Sequence, residues 1–96
     1  MPELEGSHGN RWLTTILLPS HVSPETIRLF LEESNIESRP LWKPMHAQPL
    51  LADAACCIDG TSDSLFARGL CLPSGTSMSD EDVIRVATLI SQKVLS

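Results

Sequence analysis

Pro19, Pro24, Pro40, Pro44, Pro49 and Pro73 hold this chain to short regular elements joined by turns. A proline fixes its own φ and offers no N–H to a helix or sheet ladder, so each one marks a start, an end or a rigid loop. Pro19 ends a first strand over Arg11–Leu18, a Thr/Ile/Leu-rich run with Trp12 near its start. Leu13, Ile16, Leu17 and Leu18 do not alternate with polar residues, which predicts a strand buried on both faces. Pro24 is suited to the first position of a helix, with Ser23 as N-cap and Glu25 in the first turn.

Ile27, Phe30 and Leu31 then share one face of a helix that ends near Ser34 or Asn35. Ile36–Leu41 reads as a second strand, and Trp42–Pro49, with Pro44 and Pro49, as a structured loop. Leu50–Ile58 is small and apolar, either a short helix or an irregular packed segment. Thr61 or Ser62 can cap a helix running through Arg68, with Gly69 as the residue after its end. Leu70–Leu72 is a third strand, stopped by Pro73. Ser79 and Asp82 have the spacing of a capping box, and Asp80 and Glu81 suit the positive end of a helix dipole. Val83, Val86, Ala87, Ile90 and Val94 give that last helix its apolar stripe, with Lys93 near its negative end.

Three strands with helices between them predict an α/β (α+β) two-layer sandwich, a small three-stranded open sheet with helices mainly on one face. Residues 1–9, with Pro2, Gly6 and Gly9, read as a flexible arm, and 10–96 as a single domain.

With 96 residues the chain can bury one modest core but cannot enclose a large cofactor. A net charge of −5 without a basic block argues against nucleic-acid binding. No apolar run reaches the roughly 20 residues of a membrane span. The N-terminus shows no secretory apolar segment, and the cysteines fit reduced thiols, so a cytoplasmic location is expected.

Most chemical groups carry little by themselves. His8, His21 and His46 lack metal-ligand spacing, and no metal site is expected. Cys56-Cys57 lacks the two-residue gap of a zinc or redox pair, and both read as core cysteines. Cys71 falls in an apolar strand and reads as buried and inert. Ser74–Ser77 reads as a connection, because no nucleophile-elbow pattern surrounds it. Arg39–His46 is different, for it gathers Arg39, Trp42, Lys43 and His46 into eight residues stiffened by Pro40 and Pro44. Arg and Lys suit phosphate or carboxylate, Trp offers a stacking plane, and His can donate or accept. The plainer alternative is a proline-bound crossover in which Trp42 plugs the core and Arg39 makes a local ion pair.

Three runs bear on these readings: NRWLTTILL at Asn10–Leu18, IESRPLWKPMHAQPL at Ile36–Leu50 and SLFARGLCLPSGTSMSDEDVIRV at Ser64–Val86. Together, in order and spacing, they resemble the C-terminal small domain of the DegT/DnrJ/StrS aminotransferases. The resemblance implies the small domain of the type I aminotransferase fold. It also implies a homodimeric, pyridoxal-phosphate-dependent parent enzyme. That enzyme transfers an amino group, usually from glutamate, to a nucleotide-linked keto-sugar for polysaccharide, glycan or antibiotic synthesis. It places Arg39–His46 on the side of the active-site cleft, with Arg39 and His46, then Lys43 and Trp42, as substrate-binding residues. The stretch between Gln48 and Thr61, with its paired cysteines, departs from the family pattern.

The family's Schiff-base lysine lies in a large domain that these residues do not match. The lysines here are Lys43 and Lys93, neither in a Schiff-base segment. The expectation is therefore a chain without catalytic residues, holding no cofactor and inactive alone. It reads as a C-terminal fragment of a nucleotide-sugar aminotransferase or as an interaction module for a separately encoded large domain. A domain that normally packs on a larger one should expose apolar surface, so a large-domain partner or a homo-oligomer is expected.

Overall fold

The computed structural model describes residues 3–96. The elements run β1 (Thr14–Leu17), α1 (Pro24–Glu33), β2 (Arg39–Pro40), two 3-10 turns (Met45–Ala47 and Pro49–Leu51), α2 (Thr61–Arg68), β3 (Gly69–Leu72) and α3 (Asp80–Leu95). The sheet order is β1-β3-β2, with both pairings antiparallel. The last strand in sequence therefore occupies the centre. Thr15 and Arg39 both stand opposite Cys71. This is the expected small open sheet with helices, in two layers.

The core forms between the sheet and the pair α1 and α3. It contains Leu18, Ile27, Leu31, Ile36, Leu70 and Val86, fringed by Ile16, Val22, Leu72, Met78, Leu89, Ile90 and Val94. Leu70 and Leu72 alternate with Cys71, as strand geometry requires, and the two leucines face the helices. A reciprocal pair of hydrogen bonds closes the junction between β1 and α2. The Leu18 N–H donates to the Arg68 carbonyl at 2.9 Å, and Arg68 Nε donates to the Leu18 carbonyl at 3.0 Å.

Helix starts follow local chemistry unevenly. Ser23 is the N-cap of α1 and Pro24 opens the helix, but the Ser23 hydroxyl makes no cap hydrogen bond. The capping box of α3 is complete. Asp82 N–H donates to Ser79 Oγ at 3.2 Å, and Ser79 N–H donates to Asp82 Oδ2 at 3.0 Å. The bond from Ser79 N–H, with help from its hydroxyl, holds the Asp82 carboxyl below its usual value. The folded state thus gains from this carboxylate above the ordinary carboxylate pKa of ~4 and loses that gain as pH falls through the lowered value. Ser79→Ala should cost about 1 kcal/mol in urea unfolding. A change under a few tenths would show that the cap contributes nothing.

Several expectations are corrected. β1 is shorter than Arg11–Leu18 because Asn10 Oδ1 accepts the Trp12 N–H at 3.1 Å and Arg11 sits at φ 58°, a turn that precedes the strand. It is also not buried on both faces. It forms one edge of the sheet, and Leu17 is 50% exposed. β2 is only Arg39–Pro40. The chain leaves α1 through Asn35 at φ 59°, and Ile36 is drawn into the core before pairing begins. Neither Thr61 nor Ser62 caps α2; Gly60 occupies the N-cap at φ 87°, and Asp59 Oδ1 accepts the Thr61 N–H at 3.0 Å. Gly69 is not a left-handed terminator but an extended residue, φ −90° and ψ 152°, so α2 runs directly into β3.

On α3, Val83 and Ala87 are exposed, and Leu89 replaces them in the stripe with Val86, Ile90 and Val94. Leu50–Ile58 is mostly exposed and, past the 3-10 turn, irregular, so Cys56 and Cys57 are exposed thiols and not core residues. Cys71 is buried as expected, and burial pushes its thiol pKa up, which keeps it protonated. Within the expected arm, Met1 and Pro2 lie outside the described residues. Glu3 accepts the Gly9 N–H at 2.9 Å and pairs with Arg11 at 3.2 Å. Among the described residues no helix is long and apolar enough to cross a membrane.

Candidate functional site

The segment from Asn35 to Trp42 carries the site because it is extended and its side chains alternate. Ile36 and Ser38 turn inward, and Glu37 and Arg39 turn outward. Arg39 Nε and Nη2 both donate to Glu37 Oε1, at 2.9 and 2.7 Å. Both side chains are about three-quarters exposed, so this pair orients the guanidinium without adding much stability. The local ion pair considered for Arg39 is therefore present. The core plug considered for Trp42 is not, since Trp42 is 65% exposed.

Trp42 instead meets Trp12, from the stretch before β1, with ring centroids 6.3 Å apart and planes tilted by 41°. The two indoles stand at one side of an open cavity of about 710 Å³. Ser38, Arg39, Met78 and Arg85 complete the part of the wall that matters chemically. Arg85, on α3, is held by a bond from Nη2 to the Ser34 carbonyl at 2.9 Å. The Ser38 Oγ is buried and has no hydrogen-bond partner among the described residues. Buried hydroxyls are normally satisfied, so this one is a polar group open to a ligand or to water.

Arg39 and Trp42 thus share one groove. His46 does not join them. It lies in the 3-10 turn and borders a separate cavity of about 280 Å³ with Cys57, Asp59, Gly60, Ser62 and Asp63. Its Nε2 lies 3.0 and 3.1 Å from the two Asp63 carboxylate oxygens. Lys43 borders neither cavity, although its backbone carbonyl accepts a bond from Gln48 Nε2 at 3.2 Å. The Lys93 ammonium lies over the Phe30 ring, 5.3 Å from its centroid. Neither lysine is paired with a carboxylate among the described residues. Among the described residues no group of three or more His, Cys, Asp or Glu is placed to hold a metal ion.

Trp12, Ser38, Arg85 and Asp63 escaped the sequence reading. Trp12 and Arg85 reach the groove through chain folding, and nothing local to them marks it. Ser38 carried a faint signal in its alternation with Ile36. Asp63 is an acidic residue in the first turn of α2, and nothing in its spacing points to His46.

Three helices and a three-stranded open antiparallel sheet, with an aromatic and basic loop at its edge, define a small α/β module. The chain belongs to the DegT/DnrJ/EryC1/StrS aminotransferase family, whose model matches residues 1–91. It is 44% identical over 94 residues to EpsN of Bacillus subtilis, named as a pyridoxal phosphate-dependent aminotransferase, covering 94% of this chain and 24% of that protein. It is 33% identical over 93 residues to a GDP-perosamine synthase of Vibrio cholerae, covering 92% and 25%. It is also similar to a sugar aminotransferase of Streptococcus pneumoniae solved in its PMP form. There the TM-score is 0.66 and the identity 25%, over 85% of this chain and 22% of that one. The chain spans about a quarter of the length of the curated relatives it matches.

Proposed function

We propose that this chain is the small domain of a nucleotide-sugar aminotransferase of polysaccharide or glycan synthesis, and that it forms one wall of the substrate cleft. The observation that carries this reading is the groove shared by Arg39 and Trp42, inside a chain whose family match runs over residues 1–91. A guanidinium beside two indole faces suits a ligand with a phosphate and a flat ring or sugar face. Lys43, exposed at the same loop, adds positive charge nearby. The aminating cofactor and its lysine belong to a large domain, and the chain alone is inactive.

The exposed apolar residues Trp12, Met45, Leu50 and Ile58 favour a second reading. They would pack on a large domain, whether that domain is in the same polypeptide or on a separate chain.

One titration series tests the proposal. Millimolar nucleotide-sugar should shift the indole NMR signals of Trp12 and Trp42, and Arg39→Ala should bind about fivefold more weakly, the size of one exposed charged contact. Pyridoxal phosphate should give no imine absorbance. Unmoved indoles, or an imine band abolished by Lys43→Ala, would overturn it.

A further inference from the structure

We propose that Asp63 is a positioning residue for His46. It fixes the imidazole with its proton on Nε2 and presents Nδ1 as an acceptor to a hydroxyl of the bound sugar. This rests on the reading above of the chain as a wall of the substrate cleft, takes up the substrate contact that the family resemblance implies for His46, and extends it to a residue seventeen positions further on.

The geometry is specific. Both Asp63 oxygens lie within 3.1 Å of the same ring nitrogen, Nε2. Carboxylate oxygens only accept, so Nε2 must carry the proton. In the neutral ring the proton is then absent from Nδ1, which has no hydrogen-bond partner among the described residues.

Asp63 is also free for this task. It is the third residue of α2, a position from which an acidic side chain usually reaches back to the N-cap N–H. Here the N-cap is Gly60, and α2 has no side-chain cap hydrogen bond. Asp59 takes the Thr61 N–H. The Asp63 carboxylate turns to the imidazole instead.

The ring needs such a partner because its own turn is short. Met45–Ala47 is a single 3-10 turn, set between the buried Pro44 and Gln48. Gln48 Nε2 ties the turn back through the Lys43 carbonyl at 3.2 Å. That fixes the backbone but leaves the imidazole free to rotate. A carboxylate on a helix removes that freedom before a ligand arrives, which lowers the ordering cost of binding. The ring-to-carboxylate pair therefore aims the acceptor as well as holding the loop.

The test uses the full chain with 15N-labelled histidine at neutral pH. In the unsubstituted protein the two ring 15N signals of His46 should be widely separated, with Nδ1 at the unprotonated end. Asp63→Ala should bring them closer, as in free imidazole. Nucleotide-sugar affinity should fall about fivefold in Asp63→Ala and equally in His46→Ala, with no further fall in the double variant. A ring protonated on Nδ1 in the unsubstituted protein overturns the proposal. So does a full Asp63→Ala loss that persists in the His46→Ala background. If the unsubstituted chain binds no nucleotide-sugar, the functional reading above fails, while the ring signals still decide whether Asp63 sets the tautomer.

Discussion

Gly69→Ala is expected to lower the stability of this domain by about 3 kcal/mol, at the upper end for adding one carbon to a packed site. Backbone freedom is not the reason, since φ is −90° there and any residue adopts it. Space is the reason. A Cβ on Gly69 would overlap the side chain of Leu41 and stand 2.6 Å from the Leu65 carbonyl oxygen. Leu41 can rotate. The Leu65 carbonyl cannot, because it belongs to α2, and α2 enters β3 at this residue without an intervening turn. The substitution must therefore push α2 away from the central strand. For a domain of this size the midpoint of thermal unfolding should drop by roughly 12–24 °C. Gly75→Ala is the control, since the nearest atom to its Cβ would be 3.8 Å away. The pair Gly69→Ala with Leu41→Ala should recover only part of the loss. Circular dichroism melts decide it, and a Gly69→Ala loss below about 1 kcal/mol would mean that α2 yields freely.

The same junction shows what could be read from the chain in advance. Local chemistry was legible: the Ser79–Asp82 box, the Ser23-Pro24 start and the proline-bound loop all appear where spacing predicted them. Gly69 was misread because a glycine after a helix usually ends it, and its actual role depends on Leu41, twenty-eight residues earlier. The strands were overextended for a related reason. Apolar content marks burial, but the length of pairing is set by which neighbour is present. β1 has a neighbour on one side only, and Pro40 closes β2. The exposure of Cys56 and Cys57 was illegible, because small apolar composition does not distinguish a core segment from an irregular surface one. In the site, Arg39 and Trp42 could be found from their run, and the structure does bring them together. Their companions Trp12, Ser38 and Arg85 are assembled only by the sheet order and the docking of α3.

Leu31→Ala should remove about 3–4 kcal/mol, comparable to the loss at Gly69 but by the opposite physics, a cavity and not an overlap. Leu31 and Ile27 are fully buried on the inner face of α1, against Leu70 on β3 and Val86 on α3. A domain this small has no second core to compensate. Leu29→Ala, on the same helix but 48% exposed, should cost less than 1 kcal/mol and controls for helix propensity, because leucine and alanine differ little there. The effect should extend beyond stability. The Ile36 N–H donates to the Leu31 carbonyl at 3.0 Å, and Ile36 leads directly into Ser38 and Arg39. A void beneath Leu31 therefore loosens the extended segment that forms one wall of the groove. Hydrogen exchange should show faster opening at Ile36 and Ser38 in Leu31→Ala than in Leu29→Ala, even in conditions where both remain folded. Equal protection of those amides in the two variants would separate the groove from the core, and would mean that Arg39 is held by its pair with Glu37 and by β3 alone.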